Sequence, residues 1–352
     1  MEYLDIATAV VQWQAVSGRN HLPWQQTQDP YRVWLSEVML QQTQVTTVLE
    51  YYSRFLTRFP TVAALAAASE DEVLALWSGL GYYSRARNLH RCAQTVMAVH
   101  GGHFPSSAEL LQTLPGIGRS TAGAIAAFCF SERVPILDAN VRRVLTRVLG
   151  FGADLAESRN ERALWVHAQA LLPTSDLKTS MPRYTQGLMD LGAEICKPRT
   201  PRCEVCPLAG QCIARMEGSA ERYPHKTRKL KRSAESWWLL ILRNERGAYW
   251  LERRPARGIW AGLYCPPVFR DAAEMLPPNA GQQAEHLAPF VHVLTHRDLH
   301  LHPVLMTGRH QPLSLEESGG WFEPAVFPEL GLPAPIRKLL ESEEAKLHQA
   351  AI

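Results

Sequence analysis

Hydrophobic residues recur at three- and four-residue intervals through most of the first 195 positions. One such stripe is typical of an amphipathic helix that ends before Pro60, and it consists of Val45, Val48, Leu49, Tyr52, Phe55, Leu56 and Phe59. Similar spacing predicts helices over residues 5–17, 61–99, 141–148, 161–172 and 183–195. Because no alternating, strand-like run interrupts this part of the chain, the pattern predicts an all-α region.

The pattern changes near residue 235, where hydrophobic and polar positions begin to alternate. Two strands joined by a turn are predicted over residues 236–244 and 247–255, and alternating segments follow over residues 263–269, 290–296 and 299–307. A helical pattern over residues 334–346 closes the chain. We therefore expect a helical domain over residues 1–214, a basic linker over residues 215–234 and an α+β domain over residues 235–352.

The composition is that of an ordinary globular protein, with 352 residues, 46% hydrophobic and 20% charged. The net charge of +3 permits a polyanionic partner without requiring one. No run approaches the roughly 18 apolar residues of a membrane-spanning helix, and the first residues lack a secretory signal. We expect a cytoplasmic protein, associated with the nucleoid if the cell is bacterial. The linker has no acid between Arg222 and Ser233, which suits either a solvated connector or a segment lying along DNA.

Four of the seven cysteines lie close together, at Cys196, Cys203, Cys206 and Cys212. In a chain without an export signal, clustered cysteines indicate metal binding rather than disulfides. One close pair is flanked here by two single cysteines, whereas zinc ribbons usually contain two matched pairs. Zinc and a [4Fe–4S] cluster both remain open, and the spacing favours the cluster.

Residues 114–118, Leu-Pro-Gly-Ile-Gly, predict a turn before a helix that begins near Arg119. Pro115 restricts one φ angle, while Gly116 and Gly118 permit positive φ and a close approach to the backbone. Backbone N–H groups at such a helix start can bind a phosphate. An ordinary packing corner between two helices is the alternative.

Two carboxylates are candidates for chemistry because of their surroundings. Glu37 is the only acid in an apolar helical stretch, and a desolvated carboxyl there would have a raised pKa and remain a neutral acid. A solvent-facing position is the alternative for Glu37. Asp138 precedes the apolar pattern that begins at Val141, where either Asp138 or Asn140 would cap the helix.

Two further segments suit contact with nucleic acid. Gln41, Gln42 and Thr43 interrupt the helical pattern with amides and a hydroxyl that can read base edges. Residues 79–87 combine two glycines, two tyrosines and two arginines, so a ring can wedge between bases while the arginines meet phosphate. For this second segment, a tyrosine pair packed under a loop is the alternative.

Together these motifs resemble the MutY-type adenine DNA glycosylases of the helix–hairpin–helix glycosylase superfamily, which includes endonuclease III. The resemblance extends over essentially the whole chain and is most specific before residue 212. It rests on residues 22–25, 33–45, 76–90, 114–125, 135–145 and 189–196 and on the cysteine loop. It implies an all-α helix–hairpin–helix region with a [4Fe–4S] cluster loop, followed by an α+β MutT/Nudix-like domain.

The resemblance also implies roles for individual residues. Glu37 matches the glutamate of the adenine-excising branch and Asp138 the aspartate shared by the superfamily, so both would be catalytic, and the four cysteines would hold the cluster. The residues implied around adenine are Arg19, Trp24, Gln25, Leu40, Ser120 and Gln186. Those implied in DNA binding are Gln42, Tyr82, Gly116, Gly118 and Asn140, of which Gln42 and Tyr82 would enter the base stack.

The chemistry expected of these residues follows from the leaving group. Adenine leaves poorly as an anion, so a neutral Glu37 would protonate the base at N7 while an ionised Asp138 stabilises the cationic sugar, once the base has left the stack. Ser120 stands where endonuclease III-like lyases carry a lysine, and a serine cannot form a Schiff base. Ser120 therefore predicts a monofunctional glycosylase, and the resemblance implies that it excises adenine opposite 8-oxoguanine or guanine in base excision repair.

The C-terminal domain helps the family to recognise 8-oxoguanine, usually through a Phe-Ser-His loop. The aligned residues here are Leu294, Thr295 and His296, and Thr43 matches a second contact. No glutamate-rich Nudix signature appears around residues 258–274, so pyrophosphatase activity is not expected. We expect a monomer that binds double-stranded DNA containing these mispairs and leaves its product to an abasic-site endonuclease.

Two alternative functions remain open from the sequence. One is an endonuclease III-like glycosylase/lyase for oxidised pyrimidines, which Ser120, Glu37 and the additional domain disfavour. The other is a non-catalytic iron–sulfur DNA-binding protein.

Overall fold

The structure is a computed structural model that describes residues 4–227, 231–275, 284–308 and 319–350. The chain divides into two compact units, each made of two segments. Unit 1 comprises Met1–Ala66 and Arg91–Lys229, and unit 2 comprises Ala67–His90 and Leu230–Ile352.

Helices account for nearly all regular structure before residue 230. In chain order they are α1 (Leu4–Ser17), α2 (Pro30–Leu40), α3 (Val45–Arg58), α4 (Val62–Ala67), α5 (Glu70–Trp77), α6 (Ser84–His100), α7 (Ala108–Leu111), α8 (Arg119–Phe130), α9 (Ala139–Leu149), α10 (Ser158–Ala170), α11 (Leu177–Asp190) and α12 (Ile213–Met216). Short α13 (Ala272–Met275) and terminal α14 (Ala334–Ala350) belong to unit 2. The predicted all-α region is confirmed.

Helix α8 lies at the centre of unit 1, where it packs against α2, α7 and α11. Its small residues permit this, because a Cβ atom at Gly123 would lie only 2.6 Å from the carbonyl oxygen of Pro135. The segment that leads to Asp138 therefore passes directly over α8. This close packing fixes Asp138 relative to the start of α8.

Unit 2 is built on a mixed sheet. Its strands are β1 (Ser233–Arg243), β2 (Tyr249–Arg253), β3 (Tyr264–Cys265), β4 (Val268–Phe269), β5 (Ala284–His286), β6 (Phe290–Val293), β7 (Arg297–Thr307) and β8 (Gly319–Phe322). The long strands β1 and β7 pair in parallel along their whole length, and the remaining pairs are antiparallel. Apolar side chains of β1 are buried on both faces, so this strand forms the centre of the core. The predicted α+β fold is confirmed.

Helix α5 and the loop after it pack against this sheet domain although they are distant in sequence. The Ser78 hydroxyl donates to the carbonyl oxygen of Leu332 (2.8 Å), Arg87 Nη1 donates to that of Ala261 (2.6 Å), and Arg253 pairs with Asp71. These bonds explain why residues 67–90 group with the C-terminal residues. The domain boundaries predicted at residues 214 and 235 stay a prediction.

Residues 215–227 of the predicted linker belong to unit 1, whereas residues 231–234 belong to unit 2, where β1 begins at Ser233. The carbonyl oxygen of His225 accepts from the backbone N–H of Leu155 (3.0 Å), and Thr227 hydrogen-bonds to Asp154. Residues 228–230 of the linker lie outside the described residues. Among the helices that the structure describes, none is long and apolar enough to cross a membrane.

Candidate active site

A cavity of about 610 Å³ in unit 1 brings together most of the predicted site residues. Both candidate acids, Glu37 and Asp138, contribute to its wall, together with the loop over residues 41–44 and the first turn of α8. The other predicted residues that line it are Arg19, Trp24, Leu40, Gln42, Thr43, Ser120, Asn140 and Gln186. Residues from five separate stretches of sequence therefore meet in one place.

Glu37 lies near the end of α2, where the buried side chains of Val33, Trp34 and Val38 surround it. Its carboxyl opens onto the cavity, yet this packing removes most of its hydration. Burial raises the pKa of Glu37 from its ordinary 4.5 to about 8, and the charge of Asp138 contributes in the same direction. The carboxyl is therefore protonated at neutral pH, in agreement with the desolvation predicted from its apolar neighbours.

Asp138 is the N-cap of α9, and its Oδ1 accepts from the backbone N–H of Val141 at 2.7 Å. Burial raises the pKa of Asp138, while the N–H groups of Val141 and Asn140 and the charges of Arg143 and Arg142 oppose that rise. We find no comparable donor to Glu37 among the described residues. The donors and cations around Asp138 therefore favour its ionised form against burial, whereas burial and the charge of Asp138 both favour the protonated form of Glu37.

Ser120 and Asn140 fix the two sides of Asp138. The Ser120 hydroxyl accepts from the backbone N–H of Leu137 at 3.0 Å, which ties the residue before Asp138 to α8. Asn140 Oδ1 accepts from Arg143 Nη2 at 2.9 Å. A Cβ atom at Gly192 would lie 2.6 Å from the Asn140 Cβ, so the turn after α11 packs directly on Asn140.

The two glycines of the turn before α8 have different conformations. Gly116 has a positive φ of +77°, whereas Gly118 has a φ of −84° because it is the extended N-cap of α8. Of the two properties that glycine permits, Gly118 therefore uses the close approach to the backbone. A Cβ atom at Gly118 would meet nothing within 4 Å, so its absence leaves the helix start open to another molecule. No described side chain caps this helix, whose first N–H groups can therefore bind an anion.

The polar interruption after α2 is a tight loop whose tip is strained. Gln42 is exposed and has a φ of +58°, a conformation that side-chain-bearing residues rarely adopt. The backbone N–H of Thr43 donates to the carbonyl oxygen of Leu40 at 3.3 Å, and Gln41 contacts the Thr121 hydroxyl at 3.4 Å. The helix break predicted at residues 41–43 is confirmed.

A second, smaller cavity of about 220 Å³ shares Trp24, Glu37 and Gln186 with the larger one. Gln25, which was predicted beside adenine, lines only this smaller cavity. Side-chain amides are frequent in its wall, which also includes Gln14, Asn20, Gln25 and Gln28. The edge of Trp24 rests on Tyr52, with ring centroids 5.3 Å apart, so the indole is held in place from outside the cavity.

Asp190 is the residue at this site that sequence reasoning missed. Its side chain is fully buried and accepts from the Nε and backbone N–H groups of Arg19, at 2.6 and 3.0 Å, and from Gln186 Nε2 at 2.9 Å. The available signal was the one that singled out Glu37, a lone acid within an apolar helical pattern, here residues 188–191. Asp190 thus holds two of the predicted pocket residues.

In unit 2, the structure brings together two residues that the resemblance assigned to different tasks. The hydroxyl of Tyr82 hydrogen-bonds to that of Thr295. Tyr82 is exposed and has a φ of +47°, while Thr295 and His296 lie exposed in the tight turn between β6 and β7. The backbone N–H of Leu294 donates to the carbonyl oxygen of Arg297 at 2.8 Å and closes this turn.

The four clustered cysteines are not in disulfides and surround one small apolar cavity. Arg147 Nη1 donates to Cys196 Sγ at 3.3 Å and to the carbonyl oxygen of Lys197 at 2.7 Å, while Arg143 Nε donates to the carbonyl oxygen of Cys196 at 2.7 Å. No three His, Cys, Asp or Glu side chains in the described ranges converge on a point that could hold a single metal ion. Four thiols around a cavity fit a multi-iron cluster.

Comparisons with known families agree with this arrangement. Residues 35–169 match the HhH-GPD superfamily of base excision DNA repair proteins, and residues 238–342 match the NUDIX domain. Residues 196–212 match the iron–sulfur binding domain of endonuclease III. The [4Fe–4S] cluster predicted from the cysteine spacing and the resemblance is confirmed as the cofactor.

Solved structures support the helical fold. A thermostable thymine-DNA glycosylase superimposes with a TM-score of 0.53 and 26% identity, over 61% of this chain and 97% of its own. Endonuclease III in a non-covalent complex with DNA superimposes with a TM-score of 0.50 and 20% identity, over 62% of this chain and 98% of its own.

Relatives of known name match over the whole chain or its helical part. The adenine DNA glycosylase of Buchnera aphidicola from Acyrthosiphon pisum is 36% identical over 340 residues, which is 95% of this chain and 96% of the relative. The human adenine DNA glycosylase is 43% identical over 213 residues, 58% of this chain and 38% of the relative. On the strength of the full-length match, this chain belongs to the adenine DNA glycosylase family.

Proposed function

We propose that the protein is a monofunctional DNA glycosylase that hydrolyses the N-glycosidic bond of adenine paired with 8-oxoguanine or guanine. One observation carries the proposal: Glu37, whose pKa burial raises to about 8, lines the same cavity as Asp138, whose ionised form is favoured by two backbone N–H groups and two arginines. We assign the proton to Glu37 and the negative charge to Asp138, because acid-assisted departure of a base requires one group to donate a proton while the other stabilises positive charge.

The reaction follows from these two states. Glu37 donates its proton to N7 of the extruded adenine, so the base leaves as a neutral molecule when the bond between N9 and C1′ breaks. The sugar gains oxocarbenium character, which the Asp138 carboxylate stabilises across the cavity. Water then adds at C1′ and gives up a proton to a carboxylate, which leaves an abasic site.

Ser120 supports the absence of strand cleavage. A lyase needs an amine that attacks C1′ and forms a Schiff base, and the hydroxyl at this position is engaged instead with the backbone of Leu137. We expect the abasic product to pass to a separate abasic-site endonuclease.

DNA binding would use the open start of α8 for a phosphate, with Gly116 and Gly118 allowing its close approach. Gln42 and Tyr82 would enter the base stack, and Asn140 would contact DNA. The residues that would surround adenine are Arg19, Trp24, Gln25, Leu40 and Gln186.

Recognition of 8-oxoguanine would use Thr43, Leu294, Thr295 and His296. The cluster would be held by Cys196, Cys203, Cys206 and Cys212, and when bound it would cross-link the loop that carries Lys197 and Arg202. We infer a cytoplasmic monomer.

The test is an excision assay with the opposite base varied. The protein is incubated with duplexes that contain adenine opposite 8-oxoguanine, guanine, thymine or cytosine, and with a thymine-glycol duplex. We expect adenine release opposite 8-oxoguanine and guanine, with strand breaks only after alkali. Strand cleavage without alkali on thymine glycol would instead identify an endonuclease III-like lyase, and DNA binding without release of any base would identify a non-catalytic protein.

A further inference from the structure

The buried carboxylate of Asp190 takes no part in the chemistry proposed above. Its side chain has no exposed surface, and it terminates α11 beside the cavity. Among the described residues, its hydrogen-bond donors belong to two residues of the cavity wall: Arg19 contributes Nε and its backbone N–H, and Gln186 contributes Nε2. The buried carboxylate is thus both hydrogen-bonded and paired with the cationic side chain of Arg19.

Asp190 determines which way the amide of Gln186 faces. An ionised carboxylate only accepts hydrogen bonds, so the atom of Gln186 that lies 2.9 Å from Asp190 Oδ1 must be the NH₂ group. The carbonyl oxygen of Gln186 is consequently on the opposite side of the amide. A neutral partner at position 190 would allow either orientation.

The position of Gln186 makes this orientation relevant to base selection. Gln186 and Glu37 line both cavities, and so belong to the same part of the wall. In adenine, N7 accepts and the neighbouring 6-amino group donates, along one edge of the base. A protonated Glu37 donates to N7, and a carbonyl oxygen beside it accepts from the 6-amino group. A 6-oxo purine such as hypoxanthine would oppose one carbonyl oxygen with another.

We propose that Asp190 is a positioning residue that holds the Gln186 amide with its oxygen toward the base and so selects 6-amino over 6-oxo purines. The inference rests on the proposed adenine excision and extends it to the origin of base selectivity. Arg19 is held by the same carboxylate, so the acceptor and the neighbouring cation form one rigid group.

The test compares adenine with hypoxanthine opposite 8-oxoguanine in otherwise identical duplexes. Single-turnover rates are measured for the wild type and for Asp190→Asn, and each variant's adenine-to-hypoxanthine ratio is divided by that of the wild type. The division cancels the different intrinsic lability of the two bases. The donors of Arg19 and Gln186 occupy both carboxylate oxygens of Asp190, whereas an asparagine offers them only one acceptor oxygen. The amide of Gln186 is then expected to turn, and the adenine-to-hypoxanthine ratio to fall about tenfold.

A charge-swapped variant, Asp190→Asn with Gln186→Glu, provides the matched control. The carboxylate moves to position 186, where it presents only acceptor oxygens to the cavity, while the introduced amide at position 190 donates to it. We expect the logarithm of the adenine-to-hypoxanthine ratio to recover in this variant by at least half of the decrease caused by Asp190→Asn alone. Melting temperature and the brown absorbance of the iron–sulfur cluster verify that each variant is folded, and if Asp190→Asn fails to fold, the swapped variant alone decides.

The possible outcomes separate this inference from the function on which it rests. If the rates for both bases fall by the same factor, or if neither changes, Asp190 is merely structural and the inference is wrong. The inference is equally wrong if the swapped variant folds but shows the low ratio. If the wild type releases no adenine, the proposed function itself fails.

Discussion

The cavity around Glu37 and the exposed surface formed by Tyr82 and Thr295 act by different physical means. In the cavity, burial raises the pKa of Glu37 to about 8, and the neighbouring charge of Asp138 acts in the same direction. Tyr82 is 40% exposed, and its hydrogen bond to Thr295 competes with water. A bond formed in water contributes about 1 kcal/mol, whereas a desolvated charge changes reaction rates by several orders of magnitude.

This difference shows that catalysis and base recognition require different surroundings. Proton donation by Glu37 needs a dry environment, because desolvation is the largest of the effects that keep this carboxyl protonated at neutral pH. Recognition of an opposite base needs groups that are accessible to DNA. Because such groups are also accessible to water, each hydrogen bond that they form contributes little free energy. Substitutions in the cavity should therefore have large effects on the rate of excision, and substitutions at the exposed surface small effects on selectivity.

The largest effect is expected from Glu37→Gln, which keeps the shape of the side chain but removes the acidic proton. Single-turnover excision of adenine should fall about a thousandfold or more, while binding of the same duplex, measured by fluorescence anisotropy, stays within about twofold.

The same variant has a predictable effect on stability. The pKa of Glu37 is higher in the folded protein than in the unfolded chain, so the contribution of Glu37 to folding stability is lost as pH rises from about 4.5 to about 8. Glu37→Gln should therefore melt no lower than the wild type at pH 7. If Glu37→Gln excised adenine at the wild-type rate, Glu37 would not be the catalytic acid.

Asp138→Asn is expected to have the next largest effect. The neutral amide can still accept the N–H of Val141 and cap α9, but it no longer stabilises a cationic sugar. Excision should fall about a hundredfold to a thousandfold with the cluster absorbance unchanged. Loss of the cluster or of the melting transition in this variant would show that the cap, rather than the charge, is the essential feature.

The pH dependence of excision tests the protonation state directly. Because Glu37 must carry a proton, the single-turnover rate should decline as pH rises through about 8, by about tenfold for each further unit. The residual activity of Glu37→Gln should show no such decline. A wild-type rate that stays constant to pH 10 would contradict the assignment of Glu37 as the acid.

The smallest effect is expected at the exposed surface, from Thr295→Ala. The variant loses the hydroxyl that bonds to Tyr82, so the ratio of excision opposite 8-oxoguanine to excision opposite guanine should fall about fivefold. Thr295→Ser keeps the hydroxyl and serves as the control. A hundredfold change of this ratio in Thr295→Ala would contradict the contrast between the two regions, because the loss of a single exposed hydrogen bond cannot account for so large an effect.

The sequence predicted the features that depend on near neighbours along the chain. The apolar residues on both sides of Glu37 indicated its desolvation, because a helix places those neighbours around it. The turn before α8 and the cap at Asp138 were predicted for the same reason. The φ angle of Gly118 was not, since glycine permits several conformations and the chain needs an extended N-cap at that position.

The features that sequence reasoning missed join distant residues. Arg19 and Asp190 are 171 positions apart, and Tyr82 and Thr295 are 213 apart. A side chain's polarity does not identify its partner, which is determined by how helices and strands pack. The grouping of residues 67–90 with the sheet domain has the same origin, because the bonds from Ser78 and Arg87 reach carbonyl oxygens near the other end of the chain.

Gln42 and Tyr82 hold left-handed backbone angles without being glycines. Each such angle raises the energy of the folded chain by roughly 1 kcal/mol or more. Surrounding structure imposes this conformation on the free protein, so under the proposed role in DNA binding neither residue has to surrender backbone freedom. A glycine at either position would relax the free protein and increase the entropy lost on binding. Affinity for DNA and conformational stability should therefore respond in opposite directions to changes at these two positions.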